Sequence, residues 1–90
     1  MQVPKLRVLV EAGAVRAVRA VEASYTTDAA GWTVAITYAS RRGERCEGLE
    51  RQRGGVRVFT TLDAVARALA GLGLPAFRVN AAGLAGEEAP

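Results

Sequence analysis

Apolar and polar residues alternate along two stretches of the chain, and both stretches predict β-strands. In residues 5–11, Leu6, Val8 and Val10 fall on one side and mostly polar residues on the other, which is the period of a half-buried strand. Residues 32–39 alternate more regularly, and tryptophan, valine, isoleucine and tyrosine share one side. That side is expected to face the core.

A different period, close to 3.6 residues, predicts a helix over residues 61–72. Its apolar stripe consists of Leu62, Val65, Ala66, Leu69 and Leu72. Thr60 is expected to N-cap this helix, with Asp63 near the positive end of the helix dipole. Gly73 predicts a left-handed C-cap, and Leu74 is expected to fold back onto the last turn.

Residues 14–23 are ambiguous, because two patterns overlap there. Val15, Val18 and Val21 recur at every third position, as on one face of a helix. Against a helix, all three are β-branched and no capping residue precedes them. A strand that returns after a tight turn at Ala12–Gly13 is therefore favoured, and the helix stays open as the alternative.

Weaker patterns complete the predicted fold. A charged edge strand is predicted over residues 44–50, and short strands over 56–59 and 76–80. Together these elements predict one small α+β domain over residues 1–80, with a curved, mostly antiparallel sheet of about five to six strands packed by one capped helix. Residues 81–90 are small and are expected to form a frayed tail.

Length and composition limit the size of the core and indicate the cellular compartment. Half of the 90 residues are apolar, but many are alanine and bury little area, so a homodimer that shares the core is predicted. No stretch approaches the roughly 20 apolar residues of a membrane span, and the N-terminal residues lack the pattern of a signal peptide. A single cysteine fits a reducing compartment. These features predict a cytoplasmic protein.

The composition also argues against catalysis, metal binding and a cofactor. There is no histidine, the usual general base near neutral pH. One cysteine without histidine cannot build a common zinc site or a Cys–His pair. The glycine-containing loops match no phosphate-binding motif. Cys46 lies beside Arg45 in the predicted edge strand and is interpreted as a small strand residue rather than a nucleophile. A non-enzymatic protein is therefore predicted.

Arginines form the best candidate for a binding site. The chain has eleven arginines and one lysine, with a net charge of +3. The candidate residues crowd into one short stretch: Arg41, Arg42, Arg45, Arg51, Arg53 and Arg57. Three glutamates lie between them and weaken the attraction to a phosphate backbone. A partner protein is therefore the favoured ligand, and DNA contacted through its phosphates is the alternative.

Several short segments resemble one family of small proteins. They are Leu6–Gly13, Gly31–Trp32, Arg57–Arg67, Gly73–Leu74 and Phe77–Val79. In these segments the chain is similar to ParC-type partition-associated accessory proteins of plasmids and integrative elements, over most of residues 5–80. The resemblance implies a helper role in maintaining a mobile element and brings no catalytic residues. The expected function is that of an interaction protein, with DNA binding or inhibition of a host or defence complex as alternatives.

Overall fold

The computed structural model describes residues 1–23 and 31–80 of the chain. Its elements, in chain order, are α1 (Val3–Glu11), β1 (Val15–Glu22), β2 (Trp32–Ser40), β3 (Gly43–Gly48), α2 (Leu62–Gly71) and β4 (Arg78–Asn80). The strands form one sheet in the order β3-β2-β1-β4. The pair β1–β4 is parallel and the other pairs are antiparallel.

The predicted α+β class is confirmed, but the number of elements is wrong. Within the described residues the sheet has four strands rather than five to six, and two helices rather than one pack against it. The predicted tail, residues 81–90, lies outside the described residues.

The alternating stretch over residues 5–11 is helical, so the strand predicted there is wrong. Leu6 is fully buried, whereas Val8 is 64% exposed; the two would share a face in a strand but not in a helix. Gly13 adopts φ +68° after the helix. Its N–H donates to the carbonyl of Val10, and Ala14 N–H donates to that of Leu9. This pair of bonds is a Schellman C-cap, which leaves the helix carbonyls satisfied.

The favoured strand over residues 14–23 is confirmed as β1, and its misleading period has a local cause. Val15 pairs with Tyr38, and Ala17 pairs with Thr37, so one extra residue, Arg16, sits in the ladder. A β-bulge of this kind shifts the alternation by one position. Val15 and Val18 therefore reach the same face of the sheet although they are three residues apart.

The hydrophobic core lies between one face of the sheet and the two helices. The sheet contributes buried side chains of Val18, Ala20, Val34, Ile36 and Tyr38. Leu6 of α1 and Val65 and Leu69 of α2 are fully buried against them. The core face of β2 is thus the predicted one, although Trp32 at its start is only half-buried.

Residues 56–59 make isolated bridges rather than the predicted strand. Val56 pairs with Glu50, and Phe59 pairs with Trp32 through two backbone hydrogen bonds of 2.7 Å. Gly31 precedes this bridge with φ +124°, and a Cβ atom there would lie 2.3 Å from the Phe59 carbonyl oxygen. The close approach of the two backbones therefore requires glycine at this position.

Helix α2 begins one residue later than predicted and closes with the predicted glycine cap. The Thr61 hydroxyl, rather than that of Thr60, accepts the N-cap bond, at 3.1 Å from Ala64 N. Gly73 has φ +85°, and the N–H groups of Gly73 and Leu74 donate to the carbonyls of residues 70 and 69. A second Schellman motif thus closes this helix.

Candidate anion-binding groove on the uncovered sheet face

The arginines predicted as one site lie at opposite ends of the β2–β3 hairpin. Arg41 and Arg42 form its turn, where Ser40 Oγ accepts from Arg42 N–H at 3.2 Å. Five residue steps separate the Ser40–Gly43 pair from the Ala35–Gly48 pair at the other end, about 17 Å along the ladder. The structure therefore does not bring these two arginines together with those that follow β3.

The remaining predicted site residues occupy three different environments. Arg45 is exposed on β3, opposite Tyr38 on the helix side of the sheet. Arg51 and Arg53 lie in an exposed loop, where Arg51 Nε donates to the Gly54 carbonyl at 3.3 Å. Arg57 is half-buried, and its guanidinium lies 4.6 Å from the centre of the Phe59 ring. No single groove collects the predicted cluster.

Ion pairs in the described part of the chain leave the arginines unpaired. The three that form join the N-terminal amine to Glu47 and Glu50, and Lys5 to Glu47. The glutamates expected to offset the arginine cluster are thus partly occupied by other cations. Because guanidinium groups without an acidic partner remain available to a ligand, the arginines of the described residues are the molecule's free positive charge.

Glu47 is the centre of a polar network with Tyr38 and Lys5, which helps to explain why this glutamate does not pair with an arginine. Its carboxylate accepts from the Tyr38 hydroxyl and from Lys5 Nζ, the latter at 2.9 Å. These hydrogen bonds, led by that from Tyr38, lower the pKa of Glu47 from 4.5 to about 2. The same contacts raise the pKa of Lys5. The network ties α1 to β2 and β3, which is a structural role.

One face of the sheet carries no helix among the described residues. Residues alternate along each strand, so this face belongs to the positions between the core residues. Its middle is lined by small side chains, including Ala35, Thr37 and Cys46. Thr33, on the same face, donates from its hydroxyl to the Val21 carbonyl at 3.2 Å. The small side chains in the middle of this face offer little steric hindrance to a ligand, whereas Thr33 near the start of β2 is buried.

Three arginines converge at one side of this uncovered face. Arg19 of β1 and Arg78 of β4 are register partners in the parallel ladder. Arg16, the extra residue of the bulge, joins them in lining a groove of about 560 Å³. The other lining residues are Ala17, Val18, Thr37, Ala76 and Phe77. No carboxylate of residues 1–23 and 31–80 lines the groove, so these residues give it a positive charge.

Sequence reasoning missed this groove because its arginines are far apart in the chain. Arg16 and Arg19 precede Arg78 by some sixty positions, and only the pairing of β4 with β1 makes them neighbours. Arg16 and Arg19 are also three positions apart, and in a strand without the bulge they would lie on opposite faces. From the sequence, Arg16 and Arg19 form only a second, smaller basic set, which Glu11 and Glu22 flank.

Other kinds of site find no support in the part of the chain that the structure describes. No three metal-ligating side chains cluster in residues 1–23 and 31–80. Cys46 is an exposed free thiol on the uncovered face. No helix of these residues has the length and hydropathy needed to cross a membrane.

Comparisons with known proteins do not assign the chain to a group. No family model, no curated protein sequence and no solved structure matches it.

Proposed function

We propose that this protein is a non-enzymatic accessory protein that binds nucleic acid by contacting phosphates with Arg16, Arg19 and Arg78. The observation that carries the proposal is the register pairing of Arg19 with Arg78 in a groove to which the described residues contribute no carboxylate. Arginine forks suit phosphate oxygens, and several guanidinium groups along one surface follow a phosphate backbone.

The shape of the surface supports a nucleic acid over a compact anion. The groove of about 560 Å³ is open, and it adjoins the small residues Thr37 and Cys46 of β2 and β3. A nucleotide chain that leaves the groove would pass over these residues, with the exposed carboxylate of Glu44 on the same face nearer the hairpin turn. Phe77 lines the same groove, but its side chain packs against the hydrophobic core, so the proposed contact rests on the arginines rather than on base stacking.

The resemblance of residues 57–67 to partition-associated proteins would give this binding a biological setting. In that setting the chain would assist the maintenance of a plasmid or an integrative element. The proposed contact does not depend on the resemblance, because it rests on the arginines of β1 and β4.

Fluorescence anisotropy with a labelled single-stranded oligonucleotide, and with its duplex, tests the proposal. The double variant Arg19→Gln/Arg78→Gln is compared with Arg41→Gln/Arg42→Gln, which removes the same charge from the exposed hairpin turn. We expect the first variant to bind at least tenfold more weakly than the second. Its salt dependence should also fall, by a log–log slope of about 0.7–0.9 for each phosphate that the variant no longer neutralises.

Three outcomes would contradict the proposal. Equal weakening in both double variants would indicate attraction by net charge alone. Loss of binding only in the hairpin variant would favour the arginine loops predicted from the sequence. An affinity that does not change with salt would exclude phosphate contacts of this kind.

A further inference from the structure

A second groove, with no carboxylate among its described lining residues, lies on the helix side of the molecule, between α1 and α2. Its volume is about 300 Å³. Three arginines from three separate elements line it: Arg7 of α1, Arg67 of α2 and Arg57 of the connecting segment. Sequence positions this distant become neighbours only because both helices pack on the same face of the sheet.

The groove is basic at its rim and aliphatic along its walls. Its remaining lining residues are Val3, Leu49, Ala68, Gly71 and Leu72. Val3 and Arg7 are four residues apart on α1, and so are Arg67 and Gly71 on α2, so each helix presents one continuous strip to the groove. None of the described lining residues is aromatic.

Arg57 is positioned in advance of any ligand. Its guanidinium stacks 4.6 Å from the centre of the buried Phe59 ring, which restricts the side chain and lowers the entropy lost on binding. Arg57 also lines a neighbouring groove that contains Glu50. That carboxylate lies 3.5 Å from the N-terminal amine and forms no ion pair with Arg57.

We infer that this groove binds an acidic segment of a partner protein, with carboxylates on the arginines and aliphatic side chains on the groove walls. Charge complementarity selects the acidic residues, because three guanidinium groups converge without an acidic partner. The aliphatic walls favour a peptide over a nucleic acid, because aliphatic side chains of a peptide can pack against Val3, Ala68 and Leu72. The inference is independent of the groove proposed for nucleic acid.

A fluorescein-labelled peptide in which glutamate alternates with leucine is a suitable probe, with fluorescence anisotropy as the readout. The variant Arg7→Gln/Arg67→Gln should bind it at least tenfold more weakly than the wild type. Arg19→Gln/Arg78→Gln, with the same loss of charge, should bind it like the wild type. Both Arg7 and Arg67 are exposed, so these substitutions leave the core intact.

Gly71 allows a second test inside the groove. A Cβ atom at this helical position would meet nothing within 4 Å, so a side chain can be added without a clash. Gly71→Glu should abolish peptide binding by placing a carboxylate among the arginines, whereas Gly71→Gln should retain more affinity than Gly71→Glu. Circular dichroism would verify that both variants are folded.

Several results would overturn the inference. One is equal affinity for a peptide in which serine replaces leucine, because the aliphatic walls would then have no role. Another is unchanged peptide binding in Arg7→Gln/Arg67→Gln. A third is that the wild type does not bind the peptide, while Arg7→Gln/Arg67→Gln loses oligonucleotide binding. That result would assign the groove to nucleic acid instead.

Discussion

Arg19 of β1 and Arg78 of β4 are register partners across the parallel ladder, and no carboxylate from the described part of the chain lines the groove they share. Neighbouring strands are about 4.8 Å apart, so two positive charges are held close on one surface. Like charges in register destabilise a sheet. The fold tolerates this repulsion, which a bound anion would relieve.

The repulsion predicts that Arg19→Gln stabilises the free protein at low salt. Like charges in register are worth about 0.2–1 kcal/mol, so we expect the free energy of unfolding to rise by that amount. The gain should disappear in concentrated salt, which screens exposed charges. Urea unfolding at low and high sodium chloride measures both effects. Arg53→Gln, in the exposed loop after β3, is the control for general charge effects. Destabilisation by Arg19→Gln would show that this arginine has a favourable partner.

Glu47 should contribute stability that depends on pH. Because folding lowers its pKa from 4.5 to about 2, the contribution is full above pH 4.5 and is lost as the pH falls toward 2. At neutral pH, Glu47→Gln should cost about 1–2 kcal/mol, near or below the lower end of the range for hydrogen bonds to charged groups, since the side chain is 30% exposed.

Urea unfolding between pH 7 and pH 2 tests this linkage. The difference in stability between the wild type and Glu47→Gln should shrink across that window. Glu44→Gln, an exposed carboxylate on the same strand, should give a difference close to zero at neutral pH. A Glu47→Gln deficit that stays constant down to pH 2 would argue against the lowered pKa.

Substitutions at Leu6 and Val8 distinguish helix α1 from the strand predicted over residues 5–11. Leu6→Ala should destabilise the protein by about 2–5 kcal/mol, because it removes a fully buried side chain and leaves a cavity. Val8→Ala should change stability by less than about 0.5 kcal/mol, because Val8 is 64% exposed. Thermal or urea unfolding of both variants makes the comparison. Similar losses at the two positions would instead indicate a strand.

Thr60 and Thr61 form a second matched pair. Thr61→Ala should cost about 1 kcal/mol, since its hydroxyl accepts from Ala64 N–H at the first turn of α2. Thr60→Ala should lie within about 0.5 kcal/mol of the wild type, because Thr60 is exposed and lies outside the helix. Urea unfolding of the two variants measures the difference. A larger loss of stability in Thr60→Ala than in Thr61→Ala would indicate that Thr60 is the N-cap, as the sequence predicts.

Local patterns in the sequence are sufficient to predict the elements whose structure depends on neighbouring residues. The period of α2, its stop at Gly73 and the alternation of β2 follow from side-chain spacing and from the conformational freedom of glycine. The same glycine signal was present at Gly13, where it ends α1. At Gly13 this signal predicts a hairpin turn rather than a helix end, because Leu6, Val8 and Val10 alternate with mostly polar residues as in a strand.

Tertiary structure decided the features that depend on distant positions. Packing against the sheet favours a helix over residues 3–11, because a helix allows Leu6 to be buried while Val8 stays in water. In a strand the two side chains would share one face. The bulge at Arg16 exists through pairing with β2. By itself the sequence determined a small, arginine-rich α+β chain. Which arginines share a groove was decided by strand order and helix packing, since charges far apart in the chain meet only through the fold.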